Sequence, residues 1–344
     1  QLVNISLYFW KEIASLEKKI RDKYRIYQQK NSRKLEEPFH PLEQPFTDFN
    51  FMGTCIDHLS KYLDESDGNV ERPLEQPQPN MFATVTLQSF YELQPNEVFD
   101  QLHTAIEQLI YQPKTWVDVH SALLLMYAVL GEPLNDRVGQ YISQYFDHIL
   151  NCCLADRPPR LRETALFALS LLLKNYPQCI SQLSVDDAKH RIEAVLQLFE
   201  QTISPITPQT ALTYDDITIF ARCTTVISRL ASVYKNNPYN NQLTGYFDRF
   251  VALARRFFAI GQNNGAHELI SHSGQAISQL IIFSPYETKD KLPGLYQEIM
   301  NDFENLTQFG LENSISFLIQ AEYCTIITGF VLRFSNGKQY PFIE

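Results

Sequence analysis

Residues able to cut, transfer or bind metal are present, but few stand at spacings that would let them act together. His267 and His272 enclose the run His-Glu-Leu-Ile-Ser-His. A zinc-protease helix needs its histidines four apart, so that both rings share a face. Here they are five apart, roughly 140° around a helix, which excludes that arrangement. His148 and Cys152 are four apart with Asp147 beside them. Two ligands do not make a zinc site, so packing is the expected role. Arg160, Arg162, Arg255 and Arg256 would form an anion site only if the fold converged them, and ordinary surface charge is the expectation. The chain has no GxxxxGK[ST] phosphate loop, no GxGxxG and no GxSxG elbow. No catalytic, cofactor-binding or metal residue is assigned, and no cofactor is expected. Six cysteines, Cys55, Cys152, Cys153, Cys179, Cys223 and Cys324, show no metal or redox spacing. They read as reduced core thiols.

The elements that would position such residues are helices. Trp116, Val119, Leu123, Met126 and Leu130 fall at three- and four-residue steps. So do Leu161, Ala165, Leu169, Leu172 and Tyr176, and again Phe220, Cys223, Ile227, Leu230 and Tyr234. Each set predicts one apolar stripe. Turns containing Pro133, Pro177, Pro238 and Pro285 close these first helices, at spacings of 44, 61 and 47. A second stripe follows, as in Val138, Ile142, Tyr145, Ile149 and Cys152, or Leu243, Phe247, Phe250, Ala254 and Phe257. A fifth first helix is predicted over 312–334, ending at Asn336-Gly337 before Pro341. Asp136, Ser184 and Asn240 suit helix starts. Glycine is scarce, at 12 residues in 344, and almost no segment alternates with period two. The fold class is all-α, built of helix pairs recurring about every fifty residues from Thr115 onward.

The segment Leu161-Arg162-Glu163-Thr164-Ala165-Leu166-Phe167-Ala168-Leu169-Ser170-Leu171-Leu172-Leu173, followed by Asn175-Tyr176-Pro177, carries a resemblance. Small residues at 165 and 168 between leucines resemble the close-packed helices of the HEAT/armadillo class of α-solenoids. The resemblance extends over residues 115–335. It implies stacked helix pairs, either an open superhelix or a compact irregular helical domain, and a role as scaffold, adaptor or transport receptor.

Charge divides the chain into three. Residues 1–35 carry nine Lys/Arg and three Asp/Glu, 36–100 carry two and thirteen, and 101–344 carry eighteen and twenty-three. The first segment is predicted to be one basic amphipathic helix. Its stripe is Phe9, Ile13, Leu16, Ile20, Tyr24 and Tyr27, flanked by Lys18, Lys19, Arg21, Lys23 and Arg25. Packing on the array or in a coiled coil is its first reading. The sharper reading is contact with an anionic membrane surface through those cations, with Leu7, Phe9 and Trp10 as a wedge. Residues 36–100 are expected to be an acidic, proline-rich connector with one short helix in 49–63. It contains Pro-Leu-Glu-Gln-Pro twice, at 41–45 and 73–77. Residues 101–344 are expected to form the helical-repeat domain.

The apolar runs, such as Ala122 to Leu130, are about half the length of a membrane span. No signal peptide is seen, and the sequence opens at Gln1 rather than at Met. A cytoplasmic or nucleocytoplasmic location is expected. A net charge of −10 makes nucleic acid an improbable ligand and a protein or peptide, with basic character, the expected partner. The expected function is non-enzymatic: a protein-binding scaffold or adaptor whose concave face is lined by second helices over 138–153, 192–203, 243–258 and 295–309. The alternatives are an all-α enzyme with an unrecognised polar pocket and a membrane-peripheral regulator acting through residues 1–30.

Overall fold

A computed structural model describes residues 2–31, 49–60, 79–131, 135–207, 210–235, 242–308 and 314–335. All regular secondary structure among the described residues is helical. Two units are distinguished, residues 1–145 and 146–344.

The first unit holds α1 (Leu2–Asn31), α2 (Phe49–Ser60), α3 (Pro79–Leu93), α4 (Pro95–Tyr111), α5 (Trp116–Leu130), α6 (Asp136–Gly139) and the start of α7 (Ile142–Cys152). Thr115 starts α5 with a capping box: its hydroxyl accepts from the backbone while Asp118 returns the bond to the Thr115 N–H. α5 packs against α2, α3 and α4. It therefore buries His120, Ser121 and Leu124 as well as the predicted Leu123, Met126 and Leu130. A single stripe was the expectation here, and the helix is covered on nearly every side because three neighbours surround it.

α1 differs from expectation in which face it buries. Leu7, Ala14 and Glu17 are covered, whereas Phe9 and Leu16 of the predicted stripe are 56% and 54% exposed. The Thr86 hydroxyl of α3 donates to the Leu7 carbonyl at 3.1 Å. α1 packs on α3, so the covered face is the one that carries Leu7. The side chains of Tyr24 and Tyr27 lie outside the described residues. The short helix expected in 49–63 is α2, with Met52, Cys55 and Leu59 buried. Helix resumes at Pro79, ahead of the expected boundary at 101, and Phe90, Tyr91, Val98 and Phe99 are core residues. Both Pro-Leu-Glu-Gln-Pro copies, Pro133, Pro238, Asn240, Asn336, Gly337 and Pro341 lie outside the described residues.

The second unit continues α7 and adds α8 (Pro159–Asn175), α9 (Gln178–Ser181), α10 (Val185–Ile203), α11 (Tyr214–Ser232), α12 (Phe247–Asn264), α13 (His267–Ile282), α14 (Leu292–Gln308) and α15 (Ser314–Ser335). Short 3-10 helices at Gln242–Gly245 and Tyr286–Lys291 precede α12 and α14. Long first helix, short helical turn and long second helix thus recur. Pro177 and Pro285 occupy the N-cap of the short turn. The missing proline N–H is no loss there, because the first N–H groups of a helix have no partner within it. Asn135 rather than Asp136 caps α6, accepting from the Arg137 N–H at 2.9 Å. Ser184 caps α10 as expected.

α8, α11, α13 and α15 pack one on the next as a first-helix layer. The predicted residues Leu161, Ala165, Leu169, Phe220, Cys223 and Ile227 are all buried there. α10, α12 and α14 form the second-helix layer, with Phe199, Phe250, Phe257 and Ile299 turned inward. α15 is long and apolar enough, by length and composition, to cross a membrane, but a third of its most apolar window is buried. It stacks on α13 like the other first helices.

Candidate binding surface

Arginines join neighbouring second helices in series. Arg191 of α10 donates to the Cys179 carbonyl at 2.7 Å, lies 3.6 Å from Asp147 of α7 and covers the Phe146 ring. Arg249 of α12 bridges two carboxylates of α10, Glu193 and Glu200, each at 2.9 Å. Glu193 is held below the usual carboxylate range chiefly by this hydrogen bond. Six residues along α12, Arg255 reaches the other way, to Glu298 and to Asp302 at 3.0 Å, both on α14. Arg256 donates to the carbonyls of Ile203 and Ile206 at 3.1 and 3.2 Å. A planar guanidinium with several donors suits such bridging better than an ammonium does.

The first-helix layer is joined differently, through small and partly buried groups. Arg222 of α11 donates to Glu163 of α8 at 2.8 Å and covers Phe167. Thr225 of α11 meets His272 Nδ1 of α13 at 2.8 Å. Ser271 of α13 donates to Glu322 of α15 at 2.8 Å, while the other Glu322 oxygen is buried without a partner. Burial raises the Glu322 carboxyl, opposed by the Ser271 hydrogen bond. α15 approaches α13 this closely because Gly274 and Gly329 carry no Cβ. A Cβ at Gly274 would fall 2.7 Å from Glu322 Oε2, and one at Gly329 would fall 3.1 Å from the Ser278 carbonyl oxygen.

The layers differ in charge. Helices α8, α11, α13 and α15 carry six Lys/Arg and five Asp/Glu, a net of +1. Helices α7, α10, α12 and α14 carry five and nine, a net of −4. Between α12 and α14, with α13 and α15 behind, lies a cavity of about 610 Å³. Phe258, Ile277, Ile299, Leu306, Tyr323 and Ile326 form its apolar wall, and Arg255, Arg256, Gln262, Asp302 and Asn305 its polar edge.

The residues singled out by sequence fall in several places. Lys18 pairs with Glu92 of α3 at 2.6 Å. Lys19 and Lys23 are exposed, and the side chains of Arg21 and Arg25 lie outside the described residues. Leu7 is 1% exposed, so it is not available as a membrane wedge. Arg160 is buried. Arg162 donates to the Cys153 carbonyl and toward the Thr202 hydroxyl, at 3.4 Å each. With Arg255 and Arg256 engaged as described, the four arginines serve separate contacts. His272 is tied to Thr225, while His267 is exposed. Cys152 is buried, its thiol pushed up to about 11 by desolvation. Among the described residues no group of three or more His, Cys, Asp or Glu is placed to hold a metal ion. The arginine series was missed by sequence reasoning. A signal was present: Arg249 and Glu200 are 49 residues apart, and Arg255 and Asp302 are 47 apart, close to the repeat period.

No family model matches the chain, and no curated protein matches it. Solved structures do. Kap95p bound to RanGDP, in a study of nuclear import complex assembly, aligns with a TM-score of 0.70 at 14% identity, over 97% of this chain and 36% of that one. Kap95 in complex with Nup1 aligns at 0.68 and 13%, over 96% and 35%. An importin-β crystal structure aligns at 0.70 and 15%, over 96% and 36%. The fold is thus an all-α solenoid of the HEAT/armadillo kind. The chain spans about a third of the length of these neighbours.

Proposed function

We propose that the chain is a non-enzymatic scaffold or adaptor module that receives a protein or peptide with a basic face on its second-helix layer, in the cytoplasm or between cytoplasm and nucleus. The observation that carries this reading is the charge partition within the second unit, −4 on the second helices against +1 on the first. An acidic layer attracts basic segments and repels polyanions. The structural neighbours support protein as the ligand class, since they were solved with Ran and with Nup1. The cavity lining supports it as well. Its Asp302 is paired with Arg255, its Arg256 donates to backbone carbonyls, and the Tyr323 phenol is raised by burial. A phenol so raised is not prepared for general acid–base work near neutral pH.

Pull-down from native lysate and a metabolite screen, run side by side, test the reading. Recovery of protein partners, lost on raising salt or on Glu298→Lys with Glu304→Lys, is the expected result. A metabolite that raises the melting temperature, with no protein recovered, would replace it with the enzyme reading.

One observation favours a second reading, membrane contact through α1. Phe9, Leu16 and Ile20 are exposed on one face, with Lys19 and Lys23 exposed beside them. Co-sedimentation with anionic vesicles that is abolished by charge reversal at Lys19 and Lys23 would support it. Co-sedimentation insensitive to that reversal would count against it.

A further inference from the structure

We infer that the outer face of α15 is a docking surface for one more helix of the α13 kind, presented by a helical-repeat segment that stacks in the first-helix layer. The face is apolar and open. Phe317, Val331 and Leu332 are 57%, 49% and 45% exposed, and Ala321, Cys324 and Thr328 are exposed between them. Steps of four, three, four and three from Phe317 to Val331 put these residues on one side of the helix, over about 22 Å. α15 carries two charged residues, Glu322 and Arg333, and neither lies on this face. Glu322 is buried against Ser271 of α13, and Arg333 donates to the Ser284 carbonyl. The Thr328 hydroxyl donates to the Cys324 carbonyl at 2.8 Å, so covering the face leaves it satisfied. The face belongs to the first-helix layer and is separate from the acidic second-helix surface.

The register of the layer names the occupant. Each first helix meets the one before it at a residue that recurs every fifty positions: Arg222 of α11 with Glu163, His272 of α13 with Thr225, and Glu322 of α15 with Ser271. Each inner helix also turns a second face to the helix that follows. On α13 that face is Ser271, Gly274 and Ser278. Ser271 and Ser278 donate to α15, and a Cβ at Gly274 would strike Glu322. Fifty positions on, the same places hold Ala321, Cys324 and Thr328. Fifty positions back they hold Ala221, Thr224 and Ser228 of α11, the helix on which α13 packs. The match with α11 extends to a fourth place. Thr225, which meets His272, donates to the Ala221 carbonyl at 2.9 Å, and Thr325 donates to the Ala321 carbonyl at 3.1 Å. α15 thus repeats the surface on which α13 sits, at the place where the next first helix of the layer would stand. A charged ligand finds no counter-charge there. α15 could enter a bilayer only by leaving α13, on which Glu322 and Gly329 are seated.

The probe is a fluorescein-labelled peptide of residues 267–282, the α13 sequence, with two lysines added at its end for solubility. Titrated with the chain, it is expected to bind saturably by anisotropy and to slow the reaction of Cys324 with an aromatic disulfide. The same peptide with His272→Ala should bind about fivefold more weakly, the worth of one hydrogen bond. Thr328 and Leu332 are exposed, so Thr328→Arg and Leu332→Arg leave the core undisturbed, and each should abolish binding. No saturable binding, a Cys324 unprotected at saturation, equal binding of the two peptides, or binding that survives both substitutions overturns the docking surface. Two further results would assign the face elsewhere and overturn it as well. One is sedimentation of the chain alone as a dimer that Thr328→Arg dissociates, which gives the face to a second copy. The other is flotation with phosphatidylcholine vesicles that Thr328→Arg abolishes, which gives it to a bilayer.

Discussion

Glu322 is expected to make the second unit less stable as pH rises, and Glu322→Gln should remove that loss. Its Oε2 is buried between α13 and α15 with no partner, while Oε1 accepts from Ser271. Burial disfavours the ionised form, so the folded-state pKa stands above the ordinary carboxyl value. The sign follows. Below the unfolded pKa the carboxyl is neutral in both states and the fold bears no penalty. As pH climbs through the raised folded pKa, the unfolded chain ionises more readily and stability falls. Leaving a buried polar group unsatisfied costs about 1–3 kcal/mol, more when it is charged. For a unit of this size each kcal/mol moves the melting temperature by about 2–4 °C. Gln keeps the acceptor for Ser271 and removes the charge. Calorimetry should find Glu322→Gln several degrees more stable than the parent at pH 7.5, with the difference closing toward pH 4. Comparing the two proteins cancels the opposite slope of paired carboxylates such as Glu193, whose pKa is lowered. A difference that is the same at both pH values, or a less stable Gln variant at pH 7.5, would refute the reasoning.

Arg222→Met should cost about 1–3 kcal/mol in urea unfolding, because it leaves the largely covered Glu163 carboxylate unpaired and uncovers Phe167. Arg249→Gln should cost less, about 0.5–1 kcal/mol, since that pair is more exposed, and the loss should shrink in 1 M salt. Gly265 closes α12 with φ 60°, so Gly265→Ala should cost about 1 kcal/mol by the same measurement. Titration of the native chain with an aromatic disulfide should find one fast thiol, exposed Cys324. Cys55, Cys179 and Cys223 are buried with thiols pushed up to about 12, and should react only on unfolding.

The repeat was legible because two local rules support it, apolar periodicity and, in two of the described turns, a proline. Apolar residues return every three or four positions in α8, α11 and α12, and a proline stands where Pro177 and Pro285 open the short turn. Periodicity failed where a helix has several neighbours or a poor one. α5 is surrounded, so its stripe has no edge to read. α1 packs on α3 through the face of Leu7, Ala14 and Glu17 and exposes Phe9 and Leu16, so the apolar stripe did not mark its buried side. Composition failed at 79–100, where the charge count of a long acidic window concealed the apolar α3. The cavity was beyond sequence reasoning altogether. Its walls come from four helices, and Phe258 and Tyr323 are 65 positions apart; nothing local marks them as neighbours.

The arginine series supplies half of the negative surplus of the second-helix layer. Arg249 bridges Glu193 and Glu200, and Arg255 bridges Glu298 and Asp302. Each of these two bridges sets one positive charge against two negative ones and leaves one negative charge over, whereas the α7–α10 joint, Arg191 with Asp147, is one-to-one. A layer joined by one-to-one pairs would be equally connected and neutral. A layer joined by apolar contact would be uncharged and less selective in its partners. The first-helix layer illustrates the contrast: Arg222 meets a single Glu163, the remaining joints use Thr225, Ser271 and Ser278, and the net charge is close to zero. The two-to-one bridge therefore does two things with the same residues. It fixes the spacing of adjacent second helices, and it supplies half of the negative surplus that would draw a basic segment across them. Binding such a segment would also relieve the repulsion between the bridged carboxylates, so occupancy of the surface and rigidity of the array should rise together.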